Sequence, residues 1–305
     1  MIRNLDDIIS DLKLDRKVKL AVAAAQDEEV LHAVLDAMNK NIIEPILIGD
    51  IDKIKKISYE LNFNLENISL IKAHTYEECA EIAVKLVSDK KADFLMKGIL
   101  DTSILLKAVL NKEYGLRTDS LLSHVMVYEV PTYHKLLMIT DGGMNIKPTY
   151  DQKRKIVNNA IKAYKALKAE NIKIAALAAK EKVDNKMEAT VDAYKLQQDC
   201  ENKLFGEDVI LEGPLAFDIA ISSKSSEIKN INSKVSGDVD IILVPTIEVG
   251  NGIGKSMTYL ANAKSAGIIM GAKVPIVLVS RADSHESKLY SIAYGALIAR
   301  LDNNI

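Results

Sequence analysis

The chain has 305 residues, of which 48% are hydrophobic and 27% charged, and its formal net charge is −2 at pH 7. This composition is ordinary for a globular protein with a large core. The near-neutral charge argues against nucleic acid as the main partner, because phosphate backbones require a basic surface. The first residues, MIRNLDDIISDLK, lack the basic start and apolar core of a signal peptide, and no stretch has the apolar length of a membrane span. We therefore expect a cytoplasmic protein without a membrane partner.

Short β-rich runs alternate with longer helical patterns along the first half of the chain. Strands are predicted at 19–25, 45–48, 69–72 and 93–96, and helices at 28–40, 51–61, 76–88 and 103–110. This alternation is typical of βα units in a parallel sheet. The pattern changes at 121–130 and 135–140, where two apolar runs are separated by only a short turn. Such spacing predicts an antiparallel pair rather than a crossover.

The βα rhythm then resumes in the second half of the chain. Helices are predicted at 152–169, 187–198 and 289–301, and strands at 173–178, 208–211, 241–245 and 276–280. The early segment VKLAVAAAQ resembles IKIAALAAK at 172–180, and each is followed by acidic residues and a helix. This likeness favours two α/β domains with a boundary near 121–129. Because no Pro/Gly/Ser-rich linker marks the boundary, we expect the domains to share a cleft.

The segment PIVLVSRADSHESK at 275–288 has the clearest features of a functional site. An apolar strand pattern stops at Ser280, and a polar loop leads into the last helix, with Asp283 as the predicted N-cap and Glu286 three residues later, as in a capping box. In open α/β sheets, ligands bind beyond the carboxyl ends of strands, where helix N-termini favour anions. A serine, an arginine and carboxylates there suit an anionic substrate. The alternative is an ordinary strand-to-helix turn with its cap.

Three further segments follow predicted strands. Lys97, in Met-Lys-Gly, is either a cation at a ligand site or a surface lysine before a turn glycine. The run TDGGMN at 140–145 contains glycines that permit close backbone approach. The glycine-rich run at 250–256 is predicted to be a loop, and Val249 stands where a P-loop needs its first glycine. A turn that cradles some phosphate through backbone N–H groups remains open.

Other catalytic motifs are missing from the sequence. Cys79 and Cys200 are far apart with no CxxC spacing, and the five histidines form no HxH or HExxH pattern, so neither a disulfide nor a bound metal is expected. No GxSxG elbow is present, which argues against a serine acyl-enzyme. AAAQDEE stands after the first strand in place of the dinucleotide fingerprint, which weakens a hydride-transfer function.

Several of these segments together resemble the phosphate acetyl/butyryltransferase family, and its butyryl-transferring members most closely. The resemblance spans nearly the whole chain, in matching order, through AVAAAQDEEVL, MKG, GLRT, SHVMVYE, EGPLAFDIA, VPTIEVGN and SRADSHESK. It implies reversible transfer of a short acyl group between coenzyme A and inorganic phosphate in a ternary complex, without a covalent acyl-enzyme. It also implies that no cofactor is required, since coenzyme A is a substrate, and that the protein is a homodimer or larger homo-oligomer.

The resemblance also implies a fold with two α/β domains and a central cleft, of the isocitrate/isopropylmalate dehydrogenase-like type. We expect residues 1–127 and 287–305 to form the first domain. Residues 128–286 would form the second, with most cleft loops and the dimer interface.

By the family pattern, Arg281 binds phosphate and Ser280 donates to the reacting centre. Contacts to phosphate or coenzyme A are expected from seven further residues: Lys97, Arg117, Asp141, Asn145, Gly250, Asn251 and Lys255. Acetyl-specific relatives place an aspartate, the proposed base, six residues after the arginine, and here Ser287 holds that position. The base is therefore unassigned, with Asp283, His285 and Glu286 as local candidates.

Two departures from the family pattern concern glycines. Gly254 precedes Lys255 where relatives often have an aromatic residue, and Gly142 and Gly143 stand where relatives tend to have bulkier side chains. Both changes bear on contacts with the acyl chain or the pantetheine arm. The alternatives left open are therefore phosphate acetyltransferase activity and a non-catalytic, acyl-CoA-binding regulatory protein. A decarboxylating dehydrogenase would need a metal-binding aspartate cluster, which we do not find in the sequence.

Overall fold

The computed structural model describes residues 1–12, 17–280 and 283–302. Helices and strands alternate along these ranges, which confirms the α/β class. The helices are α1 Leu5–Leu12, α2 Glu28–Asn39, α3 Ile51–Glu60, α4 Tyr76–Ser88, α5 Thr102–Val109, α6 Tyr150–Lys165, α7 Glu188–Glu201, α8 Phe217–Ile221, α9 Ser223–Ile228, α10 Ile247–Leu260 and α11 His285–Asp302. The strands are β1 Val18–Ala23, β2 Ile43–Gly49, β3 Ser69–Lys72, β4 Phe94–Lys97, β5 Ser123–Glu129, β6 Leu137–Thr140, β7 Ile172–Leu177, β8 Val209–Leu215, β9 Ile241–Leu243, β10 Lys264–Met270 and β11 Ile276–Val277.

The chain divides into two compact units. Unit 1 consists of Met1–Asn4 and Leu121–Lys264, and unit 2 of Leu5–Ser120 and Ser265–Ile305. The chain thus returns to unit 2 at residue 265, and the expected domain bounds, 1–127 with 287–305 and 128–286, stay a prediction. No helix within the described ranges is long and apolar enough to cross a membrane.

In unit 2 the strand order is β3-β2-β1-β4-β11-β10. All neighbours are parallel except the antiparallel pair β10–β11. The carboxyl ends of β1, β2, β4 and β11 therefore lie along one edge of this sheet. Lys97, the last residue of β4, and the segment that leads from β11 to Ser280 meet at that edge.

Helix α11 is the central helix of unit 2, and it packs on β1, β4 and β11 and against α1 and α2. It is buried on nearly all sides from Lys288 to Arg300, so its sequence lacks the polar face of a surface helix. At Gly295 a β-carbon would lie 2.9 Å from Val277 Cγ2, which shows how closely the helix approaches β11. This packing fixes where the first turn of α11 lies relative to the carboxyl ends of the strands.

In unit 1 the strand order is β5-β6-β9-β7-β8. Strands β5 and β6 are antiparallel, as the sequence predicts, and the other neighbours are parallel. The segments after β6 and β9 therefore leave the same edge of the sheet from adjacent strands. The carboxyl ends of these two strands are in direct contact, because Val244 N donates to Thr140 O at 2.8 Å.

Three sequence predictions need correction. The run at 250–256 is not a loop but the middle of α10, Ile247–Leu260. The last predicted strand, 276–280, is only two residues long, Ile276–Val277. The sequence pattern gave no strand at β10, which is almost completely buried; its glycine and small residues hide the apolar run.

Candidate active site

Lys97 lies at the carboxyl edge of the unit 2 sheet with only 7% of its surface exposed. Its Nζ donates to the carbonyl oxygens of Gly98 and Leu100, at 3.0 and 3.1 Å. The ammonium group is therefore held over the turn that follows β4. The two backbone carbonyl groups orient the ammonium group. Its contact with an anion stays a prediction.

Gly98 explains the second half of the Met-Lys-Gly motif. Its N–H donates to Ala23 O at 2.8 Å, and a β-carbon at this position would lie 2.0 Å from Ala24 O. No side chain fits there, because the turn after β4 packs directly on the turn after β1. The glycine is thus required for close backbone approach.

The 280–283 turn is closed by the side chain of Asp283. Its Oδ2 accepts the N–H of Ser280 at 2.7 Å, and the N–H of Asp283 donates to Ser280 O at 3.2 Å. Ser280 itself is exposed, as a residue that contacts substrate must be. Arg281, the predicted phosphate ligand, lies outside the described residues.

The predicted helix cap at Asp283 is wrong. Helix α11 begins at His285, and Ser284 Oγ accepts the N–H of Ser287 at 3.1 Å. Ser284 is therefore the N-cap, and the residue three positions later is Ser287, so the predicted capping box with Glu286 is wrong as well. Asp283 instead closes the turn before the helix. Residue types alone do not distinguish an aspartate that closes a turn from one that caps a helix.

His285, a candidate base, packs against helix α2. Its ring stacks on His32 with centroids 4.1 Å apart, and its Nε2 is 3.7 Å from Asp36 Oδ2. Burial lowers the pKa of His285, and the neighbouring His32 acts in the same direction while Asp36 opposes it. The imidazole is therefore neutral near pH 7, as a base must be, but its Nε2 is buried toward α2. The catalytic roles of His285 and Asp283 stay predictions.

Arg117 lies away from Lys97 and Ser280 within unit 2. The backbone beside it is tied to the turn after β10, because Thr118 Oγ1 donates to Gly271 O at 2.5 Å and Lys273 N donates to Leu116 O at 2.9 Å. Since β10 runs antiparallel to β11, that turn is at the opposite edge of the sheet from Ser280. Arg117 is exposed, and its predicted substrate contact stays a prediction.

Asp141 organises the turn that follows β6 in unit 1. The carboxylate is 2% exposed. Its Oδ1 accepts the N–H groups of Gly143 and Met144 at 2.9 and 2.8 Å. Its Oδ2 accepts His124 N at 3.1 Å and Asn145 Nδ2 at 2.6 Å. Asp141 and Asn145, both predicted substrate contacts, are therefore joined to each other and to the start of β5.

Replacing Asp141 with asparagine is expected to lower the free energy of unfolding by about 1–3 kcal/mol, since the amide nitrogen cannot accept the hydrogen bonds of a buried carboxylate oxygen. Urea unfolding of the purified variant measures the effect. Asp151→Asn is the control, because Asp151 is exposed in the first turn of α6 and its loss is expected to cost about 0.3–1 kcal/mol through the helix dipole. Equal stability of Asp141→Asn and wild type would contradict the structural role of this carboxylate.

Helix α10 carries the remaining predicted contacts. Gly250 is buried against the 140–145 turn, where a β-carbon would lie 2.7 Å from Gly142 Cα. Asn251 and Lys255 are exposed on the same helix, and Asn251 Nδ2 is 3.5 Å from Gly142 O. The structure therefore brings Gly250 and Asn251 next to the turn held by Asp141.

Lys288 is a residue of this region to which the sequence pattern assigned no role. It is only 2% exposed, and its Nζ donates to Asp283 O. The sequence carries little signal for its burial, because lysine is among the residues that are least often buried. Within the described residues, no cluster of His, Cys, Asp and Glu suited to hold a metal ion is found.

Comparison with known proteins gives consistent matches along the chain. The family model described as Phosphate acetyl/butaryl transferase matches residues 4–86 and 77–296. The phosphate butyryltransferase of Clostridium acetobutylicum is 41% identical over 299 residues, which cover 98% of this chain and 99% of that protein. The phosphate acetyltransferase of Thermotoga maritima is 40% identical over 281 residues, which cover 92% of this chain and 95% of that protein.

The solved structures include a similar protein. A branched-chain phosphotransacylase from Enterococcus faecalis has a TM-score of 0.82 at 33% identity, and the match covers 92% of this chain and 99% of that one. Because the family model, the full-length sequence identity and the fold agree, the chain belongs to the phosphate acetyl/butaryl transferase family.

Proposed function

We propose that this protein is an acyltransferase that moves a short acyl group, butyryl or similar, between coenzyme A and inorganic phosphate. The observation that carries this proposal is the 41% identity to a phosphate butyryltransferase over nearly the full length of both chains. The acetyl group is the alternative substrate, since a phosphate acetyltransferase is nearly as similar. A non-catalytic acyl-CoA-binding protein is the second alternative.

The reaction joins a phosphate oxygen to the thioester carbonyl carbon and breaks its bond to sulfur. The departing coenzyme A thiolate takes up a proton, and in the reverse direction the thiol must lose one. Because a free thiol has a pKa of about 8.5, positive charge or a base near sulfur favours the reacting thiolate. The tetrahedral intermediate carries a negative oxygen that fixed donors stabilise.

We infer that Arg281 binds the phosphate and that Ser280 donates to the reacting centre. A guanidinium group suits phosphate because its planar fork donates to two oxygens at once. The exposed position of Ser280 at the carboxyl edge of the unit 2 sheet supports this inference, since that edge is where open α/β sheets bind ligands. Lys97, the last residue of the neighbouring strand β4, is our secondary candidate for an anion contact.

The base that accompanies these residues is proposed to be Asp283 or His285. Asp283 Oδ2 accepts the backbone N–H of Ser280 at 2.7 Å, so this carboxylate lies beside the proposed reacting centre, which supports its candidacy. The lowered pKa of His285 supports an imidazole that is neutral at pH 7. The buried orientation of His285 Nε2 toward α2 argues for Asp283 as the first to be tested.

We further propose that the two units are domains around a central cleft, of the isocitrate/isopropylmalate dehydrogenase-like type. The presence of two compact units, each with its own run of parallel strands, supports this arrangement. A cytoplasmic homodimer or larger homo-oligomer that needs no cofactor completes the proposal.

A thiol-release assay tests this function with butyryl-CoA and acetyl-CoA, each with and without phosphate. We expect release of coenzyme A that depends on phosphate and is faster from butyryl-CoA. Faster release from acetyl-CoA would identify an acetyltransferase. Binding of acyl-CoA by calorimetry without any phosphate-dependent release would overturn the proposal and favour the regulatory alternative.

A further inference from the structure

Lys288 is a buried cation in the second turn of helix α11. Its side chain is 3% exposed, and its Nζ lies 3.7 Å from Glu29 Oε2, on helix α2. Glu29 is itself 57% exposed, so this carboxylate is an incomplete partner for a buried charge. The nearest acceptor of the ammonium group is instead the backbone carbonyl of Asp283.

The position is unfavourable for a lysine on general grounds. Burial of an ammonium ion is unfavourable before its interactions are counted. The helix dipole also disfavours a cation near a helix N-terminus. A methionine would fill the space of the lysine stem without either cost. What only a cation supplies is the charge-assisted hydrogen bond to Asp283 O.

That carbonyl belongs to the turn that carries the proposed phosphate site. Asp283 is bound to Ser280 by two hydrogen bonds, from Ser280 N to Asp283 Oδ2 at 2.7 Å and from Asp283 N to Ser280 O at 3.2 Å. Asp283 is therefore held on one side by Lys288 and holds Ser280 on the other. Arg281 lies between these two residues in the sequence.

Neighbouring contacts hold the start of α11. Ser284 caps the helix through Ser287 N, and the His285 ring turns toward Asp36 and His32 of α2. The hydrogen bond of Lys288 adds a link from the helix to the carbonyl group of Asp283, which precedes it.

We propose that Lys288 is a positioning residue for acyl transfer: through the carbonyl of Asp283 it fixes Asp283, whose two hydrogen bonds hold Ser280, the neighbour in sequence of the proposed phosphate ligand. This inference rests on the proposed function of Ser280 and Arg281. It assigns Lys288 no contact with substrate. Its loss therefore reduces the efficiency with which phosphate is used more than the binding of acyl-CoA.

Two substitutions separate positioning from packing. Lys288→Met keeps the volume and removes the hydrogen bond, and Lys288→Arg keeps a donor for the carbonyl. We expect Lys288→Met to lower kcat/KM for phosphate about 10–100-fold. The KM for acyl-CoA should stay within about twofold of wild type. Lys288→Arg should recover at least about a third of the loss in kcat/KM, measured on a logarithmic scale. Lys273→Met, at an exposed lysine of unit 2, is the control and should leave both constants unchanged.

Hydrogen–deuterium exchange of the 278–284 peptide gives a readout that does not depend on activity. In Lys288→Met its amides are expected to exchange about tenfold faster, while the rest of unit 2 keeps its protection. Faster exchange in Lys288→Met, together with no acyl transfer by the wild-type protein, would refute the proposed function but support the contact. Unchanged exchange, equal losses for both substrates, or no recovery in Lys288→Arg would each overturn the positioning role.

Discussion

Replacing Arg281 with alanine is expected to lower kcat/KM for phosphate by about 10²–10³-fold, the usual effect of removing one preorganised donor from a site where negative charge develops. The guanidinium group is proposed to bind phosphate oxygens in a bidentate way. The loss should therefore appear with phosphate while the KM for acyl-CoA stays within a few-fold. Initial rates of coenzyme A release over a matrix of both substrates measure it.

Lysine at the same position and alanine at another arginine are the controls for Arg281. Arg281→Lys keeps the charge but loses the planar fork, so we expect an intermediate loss of about tenfold or more. Arg154→Ala removes a partly exposed arginine of α6 that pairs with Asp199 in unit 1, and its kinetics should match wild type. Wild-type turnover in Arg281→Ala would refute the assigned role.

Gly250→Ala is expected to lower the free energy of unfolding by about 1–3 kcal/mol, although alanine normally favours a helix. A β-carbon at Gly250 would lie 2.7 Å from Gly142 Cα, 2.9 Å from Val244 Cγ2 and 3.1 Å from Asp141 O. Two of these three atoms belong to the backbone of the turn after β6 and cannot rotate away. Helix α10 must therefore shift, and the turn held by Asp141 must shift with it.

Gly252→Ala is the matched control in the same helix. A β-carbon there meets nothing within 4 Å, so alanine should raise the free energy of unfolding by about 0.5–1 kcal/mol through helix propensity alone. Thermal and urea unfolding of the two variants should thus move in opposite directions. Destabilisation of both, or of neither, would contradict the packing of α10 on the 140–145 turn.

The glycines of α10 show why a local pattern failed. Gly250, Gly252 and Gly254 within five residues predict a loop, because each glycine lowers helix propensity. In the structure, Gly250 and Gly254 lie on the same face of the helix, one turn apart, and a β-carbon at Gly254 would lie 2.3 Å from Tyr128 Oη. Tertiary contact with β5 and with the turn after β6 therefore selects glycine at these two sites, the buried face of a helix whose other side chains are mostly exposed.

The 275–288 segment is a second place where a local pattern missed contacts made by the tertiary structure. Its residue types predict an anion site at a strand-to-helix turn, and that site stays a prediction. The helix cap was misplaced by one residue, because Ser284 and Asp283 are both good caps and only the backbone path decides between them. The burial of Lys288 could not be read from the sequence, since lysine is among the residues that are least often buried.

The sequence alone determined the α/β class, the antiparallel pair at β5 and β6, and the family, because hydrophobic periodicity and short loop motifs are local properties of the chain. Tertiary structure decided which elements touch. It placed Asp141 in four hydrogen bonds, Gly250 against Gly142, and the buried Lys288 ammonium group against Asp283 O. These contacts join residues from different elements, and their energies depend on burial and on distances of a few ångströms that residue order does not encode locally.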